Sequence, residues 1–134
     1  MTTYVDSSAL LKRYVDETDS AAADALLRSD HELLTGRHTI VEVRRNLARL
    51  LVGRDLRAAR SAFADDLRAF SIIELDEATC ESAAAIAETT GVRSLDALHL
   101  AAAQRVSAPG LSFLTFDIRQ AQAARAIGLS VVTA

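Results

Sequence analysis

The sequence predicts an α/β protein built as a three-layer sandwich, with a central, mostly parallel sheet of four or five strands flanked by helices. Short segments rich in β-branched residues alternate with longer segments whose apolar residues recur at spacings of three and four. Strands separated by helices in this way pair in parallel. The five glycines stand singly where segments end, which excludes a dinucleotide-binding or P-loop motif.

Length and composition predict one domain, residues 1–134. The chain has a common domain size, and its 50% hydrophobic and 25% charged residues are typical of a globular protein. The single cysteine, Cys80, excludes an internal disulfide and is typical of a reducing compartment. No apolar run is long enough to cross a bilayer, so we expect a cytoplasmic protein with no membrane partner.

The first half of the chain contains two predicted strands. A β-favouring run up to Val5 forms the first one, and Asp6, Ser7 and Ser8 then lead into an apolar helical pattern. A stripe of apolar residues at spacings of three and four marks the longest helix of this half. The elements predicted after Asp6 are a helix over Ser8–Val15, a helix over Asp19–Arg28, a strand over His31–Thr35 and a helix over Thr39–Val52.

The second half contains three further predicted strands. Gly91 is a predicted left-handed helix cap, and Pro109 with Gly110 forms the turn before a buried strand. The predicted elements are a helix over Arg54–Phe70, a strand over Ser71–Leu75, a helix from Asp76 or Glu77 to Gly91, a helix over Ser94–Val106, a strand over Leu111–Phe116, a helix over Arg119–Ile127 and a strand over Leu129–Thr133.

Four acidic residues are predicted to meet at one edge of this sheet. Asp6 and Asp117 each follow a strand, and Glu42 and Asp96 each lie in the first turn of a helix. Helices that follow strands in such a sheet begin at its carboxyl edge, where α/β proteins place their chemistry. Several close carboxylates cannot all stay ionised without a cation. The sequence therefore predicts a metal site at this edge.

Oxygen-only ligands favour Mg²⁺ or Mn²⁺ over zinc. No cysteine pair accompanies the acids, and the three histidines, His31, His38 and His99, share no metal-ligand spacing. His99 follows Asp96 by three residues, and we interpret it as a helix-packing residue outside the site.

Each acid also has a structural interpretation. Asp6 or Ser7 can cap the helix that follows, which is the commonest role of such residues before an apolar run. Glu42 and Asp96 favour the positive end of a helix dipole without any metal. Capping does not explain why all four acids fall at the same edge.

Arginine is concentrated in one part of an acidic chain. The net charge is −3, which argues against a protein that binds nucleic acid mainly by overall basicity. Seven of the fourteen arginines nevertheless lie between residues 37 and 60, where the only acids are Glu42 and Asp55. This segment is either a basic binding surface or simply a solvated helical face.

The order of these motifs resembles the PIN-domain nucleases, and specifically the VapC toxins of bacterial toxin–antitoxin pairs. The resemblance covers nearly the whole chain. It rests on the string Val5-Asp6-Ser7-Ser8-Ala9-Leu10, the helix with Glu42, the segment from Arg93 to Ala103 and the ending Leu114-Thr115-Phe116-Asp117. The resemblance implies that Asp6, Glu42, Asp96 and Asp117 form the catalytic metal site, with Ser8 and Thr115 orienting carboxylates.

The resemblance also implies an activity and partners. It implies a Mg²⁺-dependent endoribonuclease, with Mn²⁺ as a possible substitute, that cleaves cellular RNA such as tRNA or rRNA and inhibits translation and growth. Arg44, Arg45 and Arg49 are candidates for holding the RNA backbone beside the acids. The expected partners are a VapB-like antitoxin, in a heteromeric complex, and a second copy of the chain in a homodimer.

Two other classes of function remain open from the sequence. A PIN-like nuclease that acts on DNA or on other RNA would keep the acids and lack an antitoxin. In a non-catalytic α/β module the four acids would only cap helices. Loss of metal binding after substitution of Asp6 and Asp96 distinguishes a metal site from caps.

Overall fold

The computed structural model describes residues 2–15, 20–29, 32–106 and 109–133, with strands and helices alternating along the chain. Within these ranges the strands are β1 (Thr2–Val5), β2 (Glu32–Gly36), β3 (Phe70–Ile73), β4 (Leu111–Leu114) and β5 (Ser130–Val132). The helices are α1 (Ser7–Leu11), α2 (Ser20–Ser29), α3 (Thr39–Leu50), α4 (Gly53–Leu67), α5 (Glu77–Thr90), α6 (Ser94–Val106) and α7 (Ile118–Ala126).

The sheet has the order β3-β2-β1-β4-β5, and every neighbouring pair of strands is parallel. Tyr4 of β1 is in register with Leu34 of β2 on one side and Phe113 of β4 on the other. Strands β2 and β3 follow β1 towards one edge of the sheet. Strand β4 then pairs with the other side of β1, and β5 forms the opposite edge. The crevice between the carboxyl ends of β1 and β4 is therefore the topological switch point, where such folds bind ligands.

Two hydrophobic layers enclose the sheet, as the three-layer prediction requires. Adjacent residues of a strand point to opposite faces, and Tyr4 and Val5 belong to different layers. The Tyr4 layer contains Phe113 and the buried alanines of α6, while the Val5 layer contains Val43 and Leu47 of α3. The small side chains of α6 let this helix pack closely against the sheet. The predicted fold class is confirmed.

Several element ends differ from the prediction by one to four residues. The first helix ends at Leu11 instead of Val15. After Leu11 the backbone forms tight turns, in which the N–H groups of Arg13 and Tyr14 donate to the carbonyls of Leu10 and Leu11. The fourth helix ends at Leu67, so that Phe70 is free to begin β3 and become buried. The predicted boundaries Asp19 and His31 lie outside the described residues.

Two further features bear on how the ends of elements are formed. The fourth strand ends at Leu114 instead of Phe116, because Thr115 and Phe116 turn towards the start of α1. Gly91 ends α5 with a φ of 76°, which confirms the predicted left-handed cap. None of the described helices combines the length and the apolar character that a membrane span requires.

Candidate active site

Asp6 lies at the carboxyl end of the central strand and is only 3% exposed. It caps α1, since its Oδ1 accepts from the backbone N–H of Ala9 at 3.0 Å and from the Ser8 hydroxyl at 2.7 Å. Burial raises the pKa of Asp6, although His99, Thr115, Ser8 and Ala9 act in the opposite direction. Asp6 is a helix cap, as one interpretation predicted, and a buried acid whose charge is costly.

Asp117 follows the neighbouring strand β4 by three residues and is also a helix cap. It caps α7, since its Oδ1 accepts from the backbone N–H groups of Arg119 at 2.9 Å and Gln120 at 3.2 Å. The capping bonds of both Asp6 and Asp117 therefore end on Oδ1. Capping and cation binding can be served by different oxygens of the same carboxylate.

Ser8 and Thr115 join the two strand ends. The Ser8 hydroxyl oxygen lies 3.4 Å from the Thr115 hydroxyl and accepts from the backbone N–H of Phe116 at 3.3 Å. The Thr115 hydroxyl accepts from the backbone N–H of Asp117 at 3.1 Å. These two hydroxyl groups fix the ends of β1 and β4 relative to each other, and with them Asp6 and Asp117.

Asp96 lies in the first turn of α6, half-buried beside these two acids. Its backbone carbonyl accepts from the Gln120 side chain at 3.0 Å, which fastens α6 to α7. Burial and the negative charges of Asp117 and Asp6 raise the pKa of Asp96, against the opposing effects of His99 and Arg93. Asp96 and Asp117 line the same cleft, and the charge of Asp6 also acts on Asp96.

Glu42 lies in the first turn of α3, and its carboxylate contacts a buried histidine. His99 Nε2 lies 2.7 Å from Glu42 Oε1, and His99 Nδ1 lies 2.7 Å from the Tyr4 hydroxyl. Burial acts to raise the pKa of Glu42, but hydrogen bonds from His99 and Ser7 and the charges of His99 and His38 lower it overall. Glu42 is therefore an ionised carboxylate with its own side-chain donors.

His38 lies next to this pair. Its Nε2 is 3.2 Å from the Leu95 carbonyl and 3.7 Å from Glu42 Oε1, while its buried Nδ1 has no hydrogen-bond partner among the described residues. Burial and the neighbouring His99 lower the pKa of His38 to about 4, against Glu42 and Leu95. One ligand atom each from His38, Glu42 and His99 lie within 4.8 Å of one another. These three side chains could hold a metal ion.

The carboxylates of the four predicted acids are less tightly clustered than the sequence predicted. In the described part of the chain, no three of them bring carboxylate oxygens within 4.8 Å of one another. Mg²⁺ needs only one or two direct carboxylates, because it keeps several of its waters. Asp6, Asp96 and Asp117 could supply the oxygen donors and the negative potential that suit such a hard cation.

Two clefts meet at Asp96 and Arg93. One also includes Asp117 and Arg119, and the other also includes Glu42 and Arg49. Cations therefore flank the acids on both sides. Arg93 and Arg119 were not among the predicted RNA-binding residues, because they lie far from the arginine-rich segment in sequence.

The arginines that were predicted to bind RNA do not all lie beside the acids. Arg44, Arg45 and Arg49 are all exposed on α3, but only Arg49 lines a cleft that contains predicted acids. Arg44 lines a different groove, with Ile40, Arg60 and Phe63. Of the residues predicted for RNA binding, the geometry favours Arg49.

The structure places His99 in direct contact with one of the predicted acids, although the sequence interpretation left this histidine outside the site. The histidine is 1% exposed, as a packing residue would be, but both ring nitrogens make polar contacts and one of them contacts Glu42. Two spacings in the sequence hinted at this arrangement, since His99 follows Asp96 by three residues and Glu42 follows His38 by four. Their contact could not be read from these spacings, because Glu42 and His99 are 57 positions apart in the sequence.

Comparisons with known proteins agree with this fold. A family model for the PIN domain matches residues 3–126. Ribonuclease VapC46 of Mycobacterium tuberculosis is 33% identical over 129 residues, which cover 96% of this chain and 95% of the relative. The crystal structure of FitAcB from Neisseria gonorrhoeae superposes with a TM-score of 0.76 at 22% identity, covering 96% of this chain and 95% of that chain. A toxin–antitoxin complex from Klebsiella pneumoniae gives 0.72 at 19% identity, covering 98% and 96%.

Proposed function

This chain belongs to the PIN-domain family, within it to the VapC ribonucleases, and from that membership we propose that it is a metal-dependent endoribonuclease, the toxin of a toxin–antitoxin pair. The observation that supports the proposal is that Asp96 and Asp117 line one cleft and that the charges of Asp117 and Asp6 act on Asp96. Burial raises the pKa of Asp6 and of Asp96, and the charge of Asp117 adds to the effect on Asp96. Such a region favours a divalent cation.

Mg²⁺ is the proposed cofactor, and Mn²⁺ can replace it. Asp6, Asp96, Asp117 and Glu42 would hold the ion, directly or through water. When bound, the ion would supply an activated water for in-line attack and neutralise charge on the leaving oxygen. Ser8 and Thr115 orient Asp6 and Asp117 through the hydrogen bonds described above.

The proposed substrate is cellular RNA, with tRNA and rRNA as the leading candidates. Acids alone repel phosphate, so the strand needs cations on either side of them. Arg93, Arg119 and Arg49 line the two clefts that meet at Asp96 and are suited to contact the RNA backbone. Cleavage of such RNA in the cytoplasm would inhibit translation and growth.

The proposed partners are a VapB-like antitoxin and a second copy of the chain. Support comes from the VapC relatives and from the fold shared with a toxin–antitoxin complex. Co-expression with any short reading frame that adjoins the gene, followed by co-purification and light scattering, tests both partners. A monomer that captures no partner would contradict this part of the proposal.

The decisive experiment compares the native protein with Asp6→Asn and with Asp76→Asn. Asp76 is also a helix cap, accepting from the backbone N–H of Thr79 at 3.0 Å at the start of α5. An asparagine keeps the capping oxygen at both positions. We expect the Asp6 variant to lose RNA cleavage and the Asp76 variant to retain it.

Two readouts accompany this comparison. Mapping of RNA ends after brief induction identifies the substrate, and calorimetry with Mn²⁺ measures the metal site directly. Cleavage of DNA alone would indicate a different nuclease. Equal Mn²⁺ affinity in the native protein and in Asp6→Asn would mean that Asp6 is a helix cap and not a metal ligand.

A further inference from the structure

A buried chain of hydrogen bonds links Tyr4 of β1, His99 of α6 and Glu42 of α3. Both links measure 2.7 Å, and both Tyr4 and His99 are almost completely buried. A carboxylate can only accept, so Nε2–H of His99 donates to Glu42. In a neutral ring Nδ1 then accepts from the Tyr4 hydroxyl, which fixes the tautomer and the orientation of the imidazole.

The positions of these residues in their elements tie them to the acids. Tyr4 of β1 lies two residues before Asp6, which follows the strand with an extended backbone, while His99 follows Asp96 by three residues on α6. The Tyr4–His99 hydrogen bond therefore joins β1, which ends directly before Asp6, to α6, which carries Asp96. The contact of His99 with Glu42 adds α3 to this connection.

The surroundings of the chain hold it in one conformation. The Tyr4 ring stacks on Phe113 with ring centroids 5.4 Å apart and an interplanar angle of 4°. A Cβ atom at Gly36 would lie 2.8 Å from the Tyr4 hydroxyl and 2.7 Å from His38, so only glycine leaves room there. In the described ranges, no backbone N–H group caps the Glu42 carboxylate as Asp6 and Asp117 are capped. His99 takes over that role.

We propose that His99, oriented by Tyr4, is a positioning residue that fixes the Glu42 carboxylate for cation binding. The proposal rests on the proposed function, in which Glu42 is one of the acids that hold the ion. His99 is 1% exposed and therefore acts through Glu42, without touching RNA. Partners of this kind behind a metal ligand commonly change metal affinity by about 10–100-fold.

The alternative is direct coordination by His38, Glu42 and His99. Against it, both nitrogens of His99 already make short contacts with Glu42 and Tyr4, and His38 Nε2 contacts the Leu95 carbonyl. A ligating His38 Nε2 would place the ring proton on Nδ1, where no described residue accepts it. Positioning therefore explains the contacts better than coordination.

The test measures Mn²⁺ binding by calorimetry on the metal-free protein. We expect His99→Leu, which removes the donor, to weaken Mn²⁺ affinity by about 10–100-fold. His99→Gln keeps an N–H donor at a similar reach and should recover part of this loss. Tyr4→Phe removes only one hydroxyl and should cause a smaller loss in the same direction. Saturating Mn²⁺ should restore most of kcat in all three variants.

Thr79→Val is the matched control. It also removes a buried hydroxyl, which accepts from Arg105 at the opposite end of α6, at 2.8 Å. We expect its Mn²⁺ affinity to equal that of the native protein. If His99→Leu fails to fold by circular dichroism, Tyr4→Phe and His99→Gln carry the test.

Three results would overturn the inference in different ways. No Mn²⁺ binding by the native protein would refute the metal site and with it the proposed function. Native binding with unchanged affinity in the His99 and Tyr4 variants would refute positioning alone. A loss in His38→Gln as large as that in His99→Leu would show direct coordination by both histidines.

Discussion

The acids at the site are held in two different ways. Asp6 and Asp117 each follow a strand and cap the next helix, so the backbone N–H groups of residues two or three positions ahead fix their carboxylates. Among the described residues no backbone N–H donates to the Glu42 carboxylate, whose shortest contact is with His99, 57 residues away. Two of the acids are therefore positioned by their own segments, and Glu42 by the packing of α3 against α6.

This difference has a consequence for substitution. A capping aspartate has a structural role and a chemical role, and an asparagine can serve the first without the second. The support of Glu42 can be removed without changing any acid. The two kinds of position can thus be tested separately.

The largest effect is expected at a capping acid. Asp117→Asn and Asp117→Ala should both lower RNA cleavage by more than the roughly 100-fold upper range for residues behind a metal ligand. Only the alanine variant should lose stability, by about 1 kcal/mol, because it loses the cap of α7. Urea unfolding and cleavage assays measure the two effects. Equal stability of both variants would contradict the capping role.

A smaller effect is expected from the hydroxyl that joins the strand ends. Thr115→Val removes the acceptor for the Asp117 backbone N–H and the contact with Ser8. A lost hydrogen bond of about 1 kcal/mol corresponds to a several-fold decrease in cleavage, less than for loss of an acid. Kinetics at saturating Mn²⁺ check this. A decrease equal to that of Asp117→Asn would make Thr115 part of the metal site.

The cations on the two sides of Asp96 should contribute similarly to RNA binding. Arg119→Ala beside Asp117 and Arg49→Ala beside Glu42 should each reduce the slope of log K against log salt by about 0.7, the value for one single-strand phosphate contact. Arg44→Ala, in a separate groove, should change the slope less. Titration of labelled RNA with an uncleaving Asp96→Asn protein measures these slopes.

The smallest effect concerns stability on the Glu42 side. The folded-state pKa of His38 is about 4, below the usual value of about 6.5, because the ring is buried neutral. The unfolded chain therefore binds the proton first as pH falls. The stabilisation is complete above about pH 6.5 and is lost as the pH falls towards 4. His38→Gln should weaken this pH dependence in urea titrations, and an unchanged profile would contradict it.

The capping side of the site could be predicted from the sequence. Asp6 and Asp117 stand directly after β-favouring runs and before apolar helical patterns, so their position at the carboxyl edge follows from segments of about ten residues. Asp96 and Glu42 were found as acids in the first turns of helices by the same local pattern. Element ends were less predictable, as at Leu11 and Phe70, because turns outside the periodic pattern decide them.

The Glu42 side could not be predicted in the same way. His99 has the spacing and burial of a packing residue, and nothing near it in sequence indicates that Glu42 is its partner. Arg93 and Arg119 lie outside the arginine-rich segment, so the distribution of arginine along the sequence does not indicate that they lie beside the acids.

The sequence by itself determined the order of strands and helices and the edge at which the acids stand, because hydrophobic periodicity and caps act over three or four residues. Only the tertiary structure decided which side chains support each acid. The Tyr4–His99–Glu42 chain forms where β1, α3 and α6 come together, and such contacts depend on how whole elements pack. One half of the site is therefore encoded locally, and the other half exists only in the folded protein.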